Sequence, residues 1–287
     1  MICNICAKKC NAERTNTKAC GKCGMSETLK IAHYQLFLNE EPCISLNKGS
    51  GAIFFSGCNL KCVFCQNYDI STLNKGKTIT IQELANIFKE LEDSGAENIN
   101  LVSPTHFALQ IVEALKIYKP KIPVIYNTNA YENIQTIEYV ANYVDVFLPD
   151  FKYCDEGISK MFSDVPDYYC VALKAIKKMR ELKSDIYSTN GKILQGVIIR
   201  HMVLPLCVGD SINVLQTIAK EIPKTKVSLL AQYTPYGKAC EYKNINRKIT
   251  KREYSLVLDE FKSLGLDGYT QELSSAKTEY IPNFKFV

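Results

Sequence analysis

Gly51-Ala-Ile-Phe-Phe-Ser56 runs directly into Gly57-Cys58-Asn59-Leu60-Lys61-Cys62-Val63-Phe64-Cys65-Gln66-Asn67. A short β-rich apolar run that ends in a glycine and three close cysteines reads as a strand whose carboxyl end carries a thiol-bearing loop. The C-x3-C-x2-C spacing offers three thiolates from one loop, enough to hold three irons of a [4Fe-4S] cluster and leave the fourth open to an outside ligand. Two blander readings use the same residues: ordinary buried thiols, or a four-thiolate zinc site completed by Cys43 or Cys154.

Downstream, five further candidate strands follow at Asn98–Val102, Pro123–Tyr126, Val144–Leu148, Gly196–Met202 and Val227–Ala231. Amphipathic stretches separate them. Ile81, Leu84, Ala85, Phe88 and Leu91 share one helical face, opened by a Thr80-x-x-Glu83 capping box and closed by Gly95; Ala108, Ile111, Val112, Leu115 and Tyr118 form a second face; Tyr254, Val257, Leu258, Phe261 and Leu264 form a third, capped by Thr250. Repeated βα units imply a parallel sheet with right-handed crossovers and functional groups at the strands' carboxyl ends. Six units are too few for a full eight-fold barrel, which leaves a partial barrel or a doubly wound sheet.

The first 49 residues differ. Cys3, Cys6, Cys10, Cys20 and Cys23 sit among Lys, Asn, Thr and Gly with almost no apolar periodicity, as in a segment where a metal replaces a hydrophobic core. The expected organisation is a cysteine-rich cap and connector over residues 1–49, then an α/β unit over 50–287. Thirteen cysteines, an odd number with no leader-like start, fit a reducing cytoplasm better than a disulfide framework. No apolar run approaches the roughly 18 residues of a membrane span. With 46% hydrophobic residues the chain can build a core, and a net charge of +5 permits nucleic acid as a partner without calling for it.

Gly before the first loop cysteine, Phe64 before the third and Asn67 two after it make this segment resemble the radical S-adenosylmethionine (SAM) enzymes. Within them it looks most like the subgroup of pyruvate formate-lyase activating enzyme, in particular a branch with a cysteine-rich amino terminus. The resemblance implies a partial (βα)6 TIM-type barrel, a [4Fe-4S] cluster on Cys58, Cys62 and Cys65, and SAM as the ligand of the open iron. It further implies reductive cleavage of SAM to a 5′-deoxyadenosyl radical that abstracts a substrate hydrogen, with electrons from a donor such as flavodoxin or ferredoxin.

Other positions follow from the same resemblance. Ser103, Thr105 and His106 stand where the family usually has Gly-Gly-Glu, and so replace its SAM contacts. Asn127, Asn129, Asp150 and Lys152 end the third and fourth strands, where the family holds the SAM carboxylate, and Asp150 keeps one of two expected acids. Arg200 and Met202 lie on one face of the fifth strand, and Gln232 with Tyr233 ends the sixth. Cys3, Cys6, Cys10 and Cys23 match the branch's ligand set for a second site, zinc or iron-sulfur, which leaves Cys20 surplus. The tail from Tyr269 to Tyr280 resembles the branch's ending and would cover the barrel mouth, with a docked terminal segment as the simpler account. The nearest named relatives imply activation of a glycyl-radical enzyme; radical modification of a peptide or small metabolite is the alternative, and a non-catalytic electron-transfer or scaffold protein is the alternative of another class.

Overall fold

The computed structural model describes residues 2–276. Its strands are β1 (Leu29–Phe37), β2 (Ser50–Phe55), β3 (Lys77–Ile79), β4 (Ile99–Val102), β5 (Val124–Thr128), β6 (Val146–Pro149), β7 (Ile186–Tyr187), β8 (Ile193–Met202), β9 (Lys226–Leu230) and β10 (Gly268–Thr270). The helices are α1 (Tyr68–Ser71), α2 (Ile81–Asp93), α3 (Ala108–Ile117), α4 (Ile134–Val140), α5 (Glu156–Ser163), α6 (Tyr168–Leu182), α7 (Val208–Glu221) and α8 (Lys251–Ser263). All six strands expected from sequence are present, as β2, β4, β5, β6, β8 and β9, and they pair in parallel. The part of the tail that continues to Tyr280 lies outside the described residues.

The sheet order is β10-β9-β8-β6-β5-β4-β2-β1-β3, open between β10 and β3. β1 runs antiparallel to β2, with Phe37 opposite Ser50, and β3 runs antiparallel to β1. The segment read from sequence as a connector therefore begins with a nine-residue strand. Alternation sorts the side chains of each parallel strand onto two faces. Ile53, Phe55, Ile99, Leu101, Val124 and Tyr126 pack into the large core under the helices, whereas Ala52, Phe54 and Val102 form one inner group and Ile125, Val146, Leu148 and Ile198 another.

Phe54 of β2 and Leu230 of β9 line one cavity although β2 and β9 are five strand spacings apart in the sheet order. A flat sheet would separate them by roughly 24 Å at about 4.8 Å per strand. The sheet therefore curls, and the fold is an incomplete parallel barrel with helices outside. Its inner floor is plugged by the chain between β1 and β2, since Cys43 and Ile44 pack with Ile125, Val146, Leu148 and Ile198. That plug is tied down: Ile193 N donates to Cys43 O at 2.9 Å, Asn98 Nδ2 to Ile44 O at 2.8 Å, and the Glu97 carboxylate accepts the amides of Leu46, Asn47 and Lys48.

Both sequence-predicted caps form, with Thr80 accepting from Glu83 N and Glu83 reaching back to Thr80 N, and the same reciprocal pair at Thr250 and Glu253. Replacing an N-cap threonine by alanine typically costs about 1 kcal/mol. Thr80→Ala is accordingly expected to lower the urea midpoint by that much stability without changing the slope of the transition.

Candidate functional site

β2 ends at Phe55, and Gly57 turns the chain at φ +85° into the cysteine loop. A side chain at Gly57 would fall 2.5 Å from Met25 Cγ and 3.2 Å from Cys23 O, so the amino-terminal cap lies directly against the start of the loop. Phe64 anchors the loop's other end, meeting the rings of Tyr153, Phe162 and Tyr233 edge to face with centroids 6.5, 6.0 and 6.0 Å away. Val63 N adds a 2.9 Å bond to Phe162 O at the end of α5.

Cys58, Cys62 and Cys65 all face the cavity inside the barrel, which holds about 220 Å³. Each sulfur receives a hydrogen bond: Leu60 N at 3.4 Å and Asn129 Nδ2 at 3.5 Å on Cys58, Ser163 Oγ at 2.9 Å on Cys62, Ser71 Oγ at 3.3 Å on Cys65. Burial pushes the Cys62 and Cys65 thiols up, Cys65 to about 12, with the neighbouring cysteines adding to the shift. Three sulfurs with donors aimed at them form a donor set suited to thiolates shared among several irons. Among the described residues no other cysteine and no histidine lines the cavity, so the set supplies three ligands and not four. Among those residues, too, no three Cys, His, Asp or Glu side chains converge closely enough to hold a single metal ion.

The polar half of the cavity comes from strand ends. Arg200 of β8 donates to Asp150 Oδ1 at 3.0 Å and to Asn127 Oδ1 at 2.7 Å, while Lys152 Nζ sits 2.7 Å from Asp150 Oδ2. Burial opposes charge on Asp150, yet Lys152 and Arg200 outweigh it and hold the carboxyl below its ordinary value. Burial likewise works against charged Lys152, and Asp150 followed by the Cys62 sulfur raises it above the ordinary lysine value. Ser103, in a left-handed conformation at φ +58°, and Met202 also line the cavity. Gln232 lines it as well, fixed by Gln271 Nε2 at 3.0 Å on its Oε1. Asn67 also lines the cavity, and its buried Oδ1 has no donor among the described residues.

Two predicted contacts sit elsewhere. Thr105 is buried and donates to Glu132 Oε1 at 2.6 Å, and the His106 ring packs on Phe107 with Nε2 2.7 Å from Ser56 O. Neither lines the cavity, because the chain turns into a short 3-10 helix immediately after Pro104 and carries both side chains behind the sheet. Burial pushes His106 down to about 3, which keeps the ring neutral. Tyr233 is also turned away, donating to Ile245 O at 2.7 Å. Glu40, Phe37 and Phe54 line the cavity without having been singled out from sequence. The strict alternation of β2 places Phe54 there; nothing local signals Glu40.

In the cap, Cys3, Cys6 and Cys23 are buried, and Cys23 lies within electrostatic range of Cys3, Cys6 and Cys10. Cys20 instead donates to Glu13 O at 3.1 Å. Arg14, fully buried, donates to Ser26 O, to His106 O at 2.8 Å and to Cys3 Sγ at 3.7 Å.

Comparison with known proteins agrees with this arrangement. The chain is 33% identical over 277 residues to an uncharacterised protein of Methanocaldococcus jannaschii, a match that covers 92% of this chain and 75% of that one. It is 26% identical over 231 residues to the pyruvate formate-lyase-activating enzyme of Clostridium pasteurianum, covering 77% of this chain and 90% of the enzyme. Among solved structures, Streptococcus suis SuiB bound to precursor peptide SuiA superposes with a TM-score of 0.53 at 16% identity, over 78% of this chain and 49% of that one. SuiB bound to S-adenosylmethionine gives 0.52 at 17% identity, over 77% and 50%. These two likenesses establish the fold, and the chain spans about half the length of the SuiB structures. No helix among the described residues is long and apolar enough to cross a membrane. The profile of the radical SAM superfamily matches residues 52–202, from the second residue of β2's inner face to the last of β8, a segment that includes the three loop cysteines, Asn127, Asp150, Lys152 and Arg200 of the cavity, and the chain belongs to the radical SAM superfamily.

Proposed function

We propose that the chain is an enzyme that cleaves SAM reductively and uses the resulting radical to take a hydrogen atom from a peptide or protein substrate, with activation of a glycyl-radical enzyme as the specific form of that chemistry. The carrying observation is that Cys58, Cys62 and Cys65 open onto one cavity with Asn127, Asp150, Lys152 and Arg200. A [4Fe-4S] cluster on the three sulfurs would supply the electron that breaks the SAM sulfonium carbon-sulfur bond, giving methionine and a 5′-deoxyadenosyl radical.

The chain's own residues do the rest. Hydrogen bonds from Asn129, Ser163 and Ser71 fix the sulfurs and disperse their charge. Lys152, whose positive charge faces both Asp150 and the Cys62 sulfur, offsets the negative charge of the thiolates and presents a donor to a SAM carboxylate. Arg200, braced on Asn127 Oδ1, holds Asp150 in place. Apolar Phe54, Val102, Met202 and Leu230 exclude water from the space where a carbon radical must survive. Because a hydroxyl on a cluster sulfur raises its reduction potential, Ser163→Ala is expected to lower the potential measured by anaerobic EPR titration while leaving iron content intact. An unchanged potential would remove Ser163 from this role.

We infer that the cap thiols Cys3, Cys6, Cys10 and Cys23 serve a second metal site, zinc or iron-sulfur, for which they would have to draw together, since no three of them converge among the described residues, and that Cys20 lies outside it. The test of the enzymatic reading is anaerobic reconstitution, a strong reductant, SAM, and quantification of 5′-deoxyadenosine. An intact cluster that yields none would favour an electron-transfer or scaffold role. The support for a macromolecular substrate is the relative that activates pyruvate formate-lyase. Deuterium transfer from labelled protein or peptide into 5′-deoxyadenosine is the direct check.

A further inference from the structure

Three residues that line the cavity turn their main chains away from it, towards a single side chain. Asn129, Asp150 and Lys152 all face the cavity. Behind them Tyr168, the first residue of α6, is fully buried, and its hydroxyl meets the backbone of all three. Lys152 N donates to Tyr168 Oη at 3.0 Å, and the hydroxyl proton is shared between the carbonyls of Asp150 at 2.7 Å and Asn129 at 2.9 Å.

The hydroxyl stands where the sheet stops supplying partners. β5 ends at Thr128 and β6 at Pro149, and one more bond joins them, from Asp150 N to Thr128 O at 2.8 Å. On its other side the end of β6 is tied to β8, by Phe151 N on Arg200 O at 2.8 Å and by His201 Nδ1 on Phe151 O at 2.7 Å. Beyond that point a buried backbone donor or acceptor needs a partner from outside the ladder. Tyr168 provides the next rung. Its ring is held in turn, stacked on Tyr131 with centroids 6.3 Å apart and planes at 10°, and meeting Tyr153 edge-on at 5.2 Å.

What the rung joins gives it a consequence for the chemistry. The Asn129 side chain donates to Cys58 Sγ at 3.5 Å and to Asn59 Oδ1 at 2.7 Å. Lys152 Nζ is held 2.7 Å from Asp150 Oδ2, with its charge also facing the Cys62 sulfur. Two of the loop cysteines thus receive support from two different strand ends, and those ends meet at a hydroxyl that does not itself line the cavity. We propose that Tyr168 is a positioning residue for the site, its hydroxyl fixing the spacing of the β5 and β6 ends so that Asn129 stays on the Cys58 sulfur and Lys152 stays opposite Cys62. This role rests on the functional reading above for the cluster that the sulfurs carry. Hydrogen bonds and positive charge at cluster sulfurs favour the reduced, more negative state, so loosening them lowers the reduction potential.

Tyr168→Phe keeps the ring and removes only the hydroxyl. It is compared with wild type and with Thr80→Ala, whose lost helix cap is a purely structural defect away from the cavity. In the full chain before reconstitution, residue-resolved amide hydrogen exchange at Lys152 is expected to be at least about tenfold faster in Tyr168→Phe and unchanged in Thr80→Ala. In the reconstituted protein, anaerobic EPR titration is expected to give a lower reduction potential for Tyr168→Phe and an unchanged one for Thr80→Ala. Unaltered exchange in Tyr168→Phe overturns the proposal. Faster exchange with an unaltered potential overturns it too, because the hydroxyl would then serve the fold alone. If Tyr168→Phe does not fold, exchange in the wild type decides: the Lys152 amide should be protected to within about tenfold of the ladder-bonded Phe151 amide, and an unprotected Lys152 amide removes the rung. A wild-type chain that holds its cluster but yields no 5′-deoxyadenosine would end the functional reading and leave both comparisons standing.

Discussion

Cys62→Ala is expected to make no 5′-deoxyadenosine above the level of SAM incubated with reductant alone, whereas Cys170→Ala keeps wild-type yield. Cys62 is buried, takes a 2.9 Å hydrogen bond from Ser163, and lies electrostatically beside Lys152 and Cys58. Removing it leaves two thiols on the loop, and among the described residues no further cysteine and no histidine lines the cavity to substitute. Alanine also leaves the Ser163 hydroxyl and the Lys152 charge without the sulfur they face, so the loss is of the site and not of one ligand among several. Cys170 is exposed on α6 and contributes nothing to the cavity. Iron content and the visible absorbance of both reconstituted variants complete the measurement. Equal loss in both would undermine the ligand assignment.

Asp150→Asn is expected to destabilise the fold by about 3 kcal/mol, the range for breaking a largely buried ion pair by removing one partner. Its side chain is 22% exposed, and it is the only ion-pair partner among the described residues for Arg200 and for Lys152. Neutralising it leaves two cations facing each other across the polar half of the cavity. Because the folded-state pKa of Asp150 is depressed, the stability it contributes is fully present above the ordinary carboxylate pKa and fades as pH falls through the folded value. The wild type should therefore lose more stability than Asp150→Asn between about pH 5 and pH 3, measured by urea melts at each pH. Parallel pH profiles for the two proteins would show that the carboxylate is not the charge that matters.

The parts of the molecule legible in sequence are those set by local rules. The six parallel strands are short apolar runs between turn residues, and the Thr80 and Thr250 caps follow from single residues at fixed spacing. β1 escaped because a register shift between Ile31 and His33 interrupts its alternation, so that adjacent Ile31 and Ala32 are both buried and the period of two never shows. β3, β7 and β10 are two or three residues long, too short for any period. At the site, the cysteine loop, Asp150 and Arg200 were readable because strand ends fix where they point. Thr105 and His106 turned away because a 3-10 turn intervenes, and Glu40 was invisible because its position depends on how the plug beneath the barrel is tied to Asn98, Glu97 and Ile193, contacts some fifty residues or more distant in the chain.

The way the cap is fastened bears on the order in which the molecule is assembled. Lys8 Nζ reaches Asp164 O across 156 residues, Thr136 Oγ1 donates to Ile5 O across 131, and Asn133 Nδ2 to Asn4 O across 129. A chain made from its amino terminus thus makes the cap before these three partners, which follow it only after more than a hundred further residues have emerged. During that interval the cap cysteines are synthesised, solvated and undocked. Any modification of those thiols in that interval would precede docking against Asn133, Thr136 and Asp164, and a nascent chain whose cap thiols are oxidised early would reach full length with its cysteine loop unsupported.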